Sequence, residues 1–134
     1  MSKGHPADLL LDTHVLLWWL AEPERLSPAA HEAIADPGNR VHVSAASGWE
    51  IATKVRLGKL PAAGDLLNDL PQLLAAQGFE PLPVSLQHGL HAGHYPMAHR
   101  DPFDRLLAAQ AELGALPLVS LDPALQAFPC ALLW

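Results

Sequence analysis

The chain has 134 residues and a formal net charge of −6. Half of it is hydrophobic and only 16% is charged, which argues against disorder and supplies material for one core, so a single domain over 1–134 is expected. The acidic balance argues against a protein held to nucleic acid by a broad basic surface, but leaves room for an acidic, cation-binding pocket that acts on it.

Cys130 is the single cysteine, so an internal disulfide is impossible and a reducing compartment is the default. No apolar run reaches the ~18 residues of a membrane span. The opening "MSKGHPADLLLDTH" has one lysine and a very short apolar stretch and does not read as a signal peptide. A cytoplasmic protein without membrane contact is the expectation.

In chain order, "DLLLD" (8–12) reads as a short strand ending in an acid, followed by an apolar helix over 15–20. Ser27 is placed to cap a helix over 28–35. "RVHVS" (40–44) alternates as a strand should, and a helix over 45–57 stops at Gly58. Residues 65–77 put Leu66, Leu67, Leu70, Leu73 and Leu74 on one helical face, with Pro71 against the early part. "FEPLPVS" (79–85) is a weaker strand because of its two prolines. A helix over 103–113 stops at Gly114, "LPLVSLD" (116–122) again ends in an acid, and "ALLW" (131–134) is a candidate last strand. Strands alternating with helices predict an α/β fold: a central parallel sheet of four to five strands with helices on both faces. The carboxyl ends of such strands share one edge, where ligands bind.

Four acids converge there. Asp12 and Asp122 close strands, and Glu50 and Asp104 fall in first turns of helices. Each alone has an ordinary reading. Asp12 and Asp122 suit helix caps, Ser47 and Glu50 fit a capping box with Lys54 four residues on, and Asp101 and Asp104 fit another behind Pro102. Together they would repel unless some stay protonated or a cation neutralises them. An all-oxygen donor set favours Mg²⁺ or Mn²⁺ over zinc.

The blocks "LLLDTHVLLWWL" (9–20), "VSAASGWEIATKVRLGKL" (43–60), "HRDPFDRLLAAQAELGALPLVSLDPAL" (99–125) and the closing "LLW" resemble, in order and spacing, the PIN-domain ribonucleases and their VapC-like toxins. The resemblance implies a three-layer fold and Mg²⁺- or Mn²⁺-dependent cleavage of RNA by Asp12, Glu50, Asp104 and Asp122. It implies that Asp12 and Asp104 bind the main ion, with Glu50 and Asp122 completing the shell. It also implies two protein partners: a second copy of the chain, and a small antitoxin. Asp104 followed by "RLLAAQA" matches the family's third acid, which leaves Asp101 as the cap that orients it. A metal-bound water would attack the phosphodiester, with Glu50 or Asp122 placing it or taking its proton.

Thr13 and Ser44 can hydrogen-bond the acids or a phosphate, and Ser120 is a weaker candidate of the same kind. Arg105 can contact substrate phosphate or pair with an acid, and a pair with Asp101 is preferred at i,i+4. Lys54, Arg56 and Lys59 form a basic cluster that reads as a solvated helix face or an RNA contact. His88, His91 and His94 lack the companions of a zinc site. His14 is expected as a partly buried ring, and Trp18 and Trp19 as rings that cannot both enter one core. The competing reading is a non-catalytic PIN-like module that binds RNA or protein. A phospho-acceptor domain fits less well, because Asp12 lacks an acidic neighbour and no lysine follows Lys59.

Overall fold

A computed structural model describes residues 7–134, so the reading of the opening stretch falls partly outside it. β1 (Asp8–Leu11) leads to α1 (Thr13–Ala21) and α2 (Pro28–Ala35), then β2 (Arg40–Ser44) to α3 (Ala45–Arg56) and α4 (Gly64–Gln77). β3 (Glu80–Leu82) leads to α5 (Leu86–His94) and α6 (Pro102–Gly114), and β4 (Leu118–Val119) and β5 (Leu132–Leu133) complete the chain. The strands form one parallel sheet in the order β3-β2-β1-β4-β5.

β1 lies at the centre, and its run of leucines follows from that position. Neighbouring residues of a strand face opposite sides. Leu9 and Leu11 enter a core built with α1, α2, α3 and α4, while Leu10 enters a second core built with α5 and α6. Both faces are therefore covered, and a strand buried on both faces reads as continuous apolar sequence. β4 repeats the division, with Leu118 in the second core and Val119 in the first. This is the expected three-layer architecture.

The local differences have physical causes. α4 begins at Gly64 and runs through Pro71, because Leu67, Leu70 and Leu74 pack beneath it and outweigh the lost backbone bond. β3 is short and lies at the sheet edge, where Pro81 is tolerated. α5 is a helix the sequence reading did not assign. Its capping box uses an unusual partner: Ser85 Oγ accepts from the His88 amide, and His88 Nδ1 accepts from the Ser85 amide. Trp18 and Trp19 pack against the same core after all, both half-buried at its margin.

Gly114 remains helical, and the left-handed position falls on Ala115 at φ 52°. A Cβ at Gly114 would stand 3.2 Å from the Leu116 side chain, so the glycine answers a close approach, not a turn. An alanine held left-handed is strained by about 1 kcal/mol or more. Ala115→Gly is expected to raise the unfolding free energy by about 1 kcal/mol in urea titration. A loss of stability would show that the strain lies elsewhere.

Candidate active site

Asp12 follows β1 and caps α1. Its Oδ1 accepts from the Thr13 amide at 2.7 Å and its Oδ2 from Ser120 Oγ at 2.6 Å. Ser120 follows β4, the adjacent strand, and its hydroxyl also accepts from the Asp122 amide at 3.0 Å. Two neighbouring strand ends are thus tied through one buried serine. Burial pushes the Asp12 carboxyl above its ordinary range, and Glu50 adds to that push, against the bonds from Ser120 and Thr13.

Glu50 sits in the second turn of α3 and is buried. The expected box between Ser47 and Glu50 does not form. Ser44 is the cap, its hydroxyl accepting from the Ala46 amide, while Ser47 Oγ accepts from Thr13 Oγ1 at 2.9 Å. One turn on, Lys54 makes an ion pair with Glu50 Oε2. Glu50 Oε1 is buried with no hydrogen-bond partner among the described residues. Burial opposes the Lys54 charge, yet Glu50, Asp101 and Asp104 outweigh it and hold the ammonium above the ordinary lysine range.

Asp101 caps α6, its Oδ1 accepting from the Phe103 and Asp104 amides at 2.9 and 3.2 Å, with Pro102 in the first turn. The cap is one-sided, because Asp104 turns inward and not back to the cap. Asp104 is buried, and its Oδ2 meets His99 Nε2 at 3.0 Å. Its pKa is raised to about 6: burial raises it, His99 opposes that, and the charges of Asp101, Asp12 and Asp122 raise it further. Asp122 is exposed at the rim, where its Oδ1 accepts from the Ala124 amide and caps a 3₁₀ turn over Pro123–Ala127. The sequence-read acids thus gather at the carboxyl edge of the sheet, three buried and one at the mouth.

Comparison with known proteins places the chain in a family. The PIN domain family model matches residues 9–129. Ribonuclease VapC22 of Mycobacterium tuberculosis is 35% identical over 115 residues, spanning 85% of this chain and 86% of that protein. The chain belongs to the PIN-domain family. Within the family it is VapC-like. Ribonuclease VapC16 of the same organism is 40% identical over 58 residues, 43% of this chain and 41% of that one. The fold is shared with VapBC2 from Rickettsia felis, solved with a DNA fragment from their promoter, at TM-score 0.67 and 17% identity over 95% and 97% of the two chains. It is shared with FitAcB from Neisseria gonorrhoeae at TM-score 0.58 and 23% identity over 94% and 96%.

Against the PIN frame, several residues change roles. Arg105 pairs with no acid in the structure. Its guanidinium donates to the carbonyls of Ala92, Gly93, Tyr95, Met97 and His99, at distances from 2.6 to 3.4 Å. It fastens the loop that carries His99 to α6, which also takes it out of the phosphate contact. His14 is exposed, not partly buried, beside the site. Ser44 serves as a cap, and Ser120 takes the contact with an acid. His99 was missed, because its five-residue separation from Asp104 matches no helical or turn pattern and is closed only by the Arg105-held loop. Lys54 makes the i,i+4 pair with Glu50 that the spacing predicts, which turns it inward and away from a solvated basic face. His88 and His91 turn to different partners, the Ser85 amide and Glu112.

The donor chemistry of this PIN site fits a hard divalent cation. All the acids offer oxygen, Glu50 Oε1 is buried and unpartnered among the described residues, and the Asp12 and Asp104 carboxyls are raised by burial and by neighbouring acids. Among the described residues, no three His, Cys, Asp or Glu side chains are grouped tightly enough to hold an ion. Asp12, Glu50 and Asp104 are held instead by Ser120, Lys54 and His99 respectively.

Two outcomes follow. An acid whose pKa rises on folding destabilises the fold as pH climbs from its unfolded value of 3.8 to about 6. Asp104→Asn is therefore expected to melt a few degrees above wild type at pH 7 in chelator, with the gap closing toward pH 4. An unchanged gap at both pH values would contradict it. Arg105→Ala leaves five carbonyls without their guanidinium and is expected to cost at least about 2 kcal/mol in urea titration. Arg105→Lys should recover little of it, since an ammonium cannot span the fork.

Proposed function

We propose that this chain is a metal-dependent ribonuclease, the toxin of a toxin–antitoxin pair, that cleaves RNA phosphodiester bonds with water. The observation that carries the reading is the burial of Asp12, Glu50 and Asp104 at one sheet edge, in a chain 35% identical over most of its length to a ribonuclease. Burying repelling carboxylates costs stability beyond what the cap that Asp12 provides requires.

Asp12 and Asp104 would hold a Mg²⁺ or Mn²⁺ ion, with Glu50 and Asp122 completing the set. A bound ion of this kind supplies a more acidic water and neutralises phosphoryl charge. Ser120 and the Thr13 amide keep the Asp12 carboxylate aimed, and His99 does the same for Asp104. Glu50 or Asp122 accepts the proton of the attacking water. Lys54, beside the same acids, balances negative charge when a phosphate enters. Asp101 serves as the cap that orients Asp104.

The protein partners are a small antitoxin and a second copy of the chain. VapBC2 and FitAcB are named as complexes, which supports the first. Among the described residues no helix is long and apolar enough to cross a membrane, and we place the enzyme in the cytoplasm.

The test uses purified protein and single-stranded RNA. Cleavage is expected with Mg²⁺ or Mn²⁺, to stop in chelator, and to fall at least about a hundredfold in Asp12→Asn, Glu50→Gln and Asp104→Asn. Expression without antitoxin should arrest growth, and the same variants should relieve it. RNA bound but uncleaved by folded wild type in either metal would replace this reading with the binding-module one.

A further inference from the structure

Next to the acids lies a cleft of about 280 Å³, lined by Asp12 and Asp122 together with His14, Trp18, Leu121 and Pro123. Cavities for drug-sized ligands run roughly 300–1,000 Å³, so this one suits a single ring system. Its lining is of two kinds: carboxylates of the proposed phosphate-cleaving site, and aromatic and apolar side chains.

The apolar lining is not explained by folding. Leu121 stands between buried Ser120 and Asp122 and is 53% exposed. His14 is exposed one turn before Trp18, their rings 6.1 Å apart and tilted by 49°. Trp18 itself is braced, with Trp134 edge-on at 5.9 Å and the Arg25 guanidinium 4.7 Å from its ring centre. The Arg25 guanidinium covers one side of the ring, and Trp18 still lines the cleft together with the uncovered Leu121. A nucleotide has the matching polarity, phosphate at one end and a flat apolar ring at the other. Unpaired bases of RNA are held by stacking on such side chains.

We propose that this cleft is a nucleobase subsite: an unpaired base beside the scissile phosphate packs among Trp18, Leu121 and Pro123, with His14 at its edge. The inference rests on the ribonuclease reading for its substrate. His14 offers a ring nitrogen to the base edge and so provides discrimination as well as affinity. The cleft accepts one ring system, so the base must leave any duplex before it enters.

The test compares cleavage of short single-stranded RNA pools, randomised on each side of the cut, by wild type, Leu121→Ala and His14→Ala. Both side chains are exposed, so neither change opens the core. Leu86→Ala, an exposed leucine on α5, is the control. Wild type is expected to prefer one base at one flanking position, and both variants to flatten that preference at least fivefold. For the preferred RNA, KM should rise about tenfold, well beyond any fall in kcat, as loss of one stacked base predicts. An unchanged preference, or an equal loss for every sequence, overturns the subsite while leaving the nuclease intact. If wild type cuts no RNA, the subsite is still read directly. Mononucleotides should shift the Trp18 indole NMR signal in wild type and shift it less in Leu121→Ala, and no shift in wild type overturns the proposal.

Discussion

Parallel strands end together, and at that shared edge this chain buries acids that repel one another. Much of the site's construction answers that repulsion. Asp12 is held by a hydroxyl from the neighbouring strand and by the first amide of its own helix. Glu50 is held by a lysine one helical turn on, and Asp104 by a histidine from a separate loop. Each partner differs in kind, and none removes the burial that pushes Asp12 and Asp104 upward. The leucines of β1 and the two cores on either side of it make such a strained edge tolerable.

The stretch "HRDPFDRLL" divides this work among its residues. Asp101 and Pro102 start α6, Asp104 turns into the site, and Arg105 gathers the carbonyls of the preceding loop. That last action sets where His99 stands, and His99 in turn steadies Asp104. A cap, an acid, a staple and a positioning ring are packed into a few residues because one helix start must do all four things.

The same edge extends beyond the acids. Trp18 and Leu121 line an apolar cleft beside the carboxylates, and Trp134 packs against Trp18. The mouth therefore offers both a charged and an apolar surface to whatever enters. Trp49, 55% exposed, stacks edge-on with Phe103 between the first turns of α3 and α6. Those helices carry Glu50 and Asp104, so the contact links their starting points.

The parallel sheet, the helices around it other than α5, and the acids at the strand ends were legible in the sequence, because apolar periodicity and strand-end position are local properties. Asp101 as a cap was legible for the same reason, since its partners lie two and three residues away. Other features were not. A histidine standing in for the usual acid hid the capping box of α5, and a proline obscured the true extent of α4. The partners of the acids were hardest to see. Ser120 reaches Asp12 across 108 residues, and His99 reaches Asp104 only because Arg105 has folded the loop. Sequence alone determined which residues bear charge and at which edge they emerge. Tertiary structure decided which neighbours hold Asp12 and Asp104, because that depends on adjacent strands and packed loops whose separation in sequence carries no trace of their contact in space.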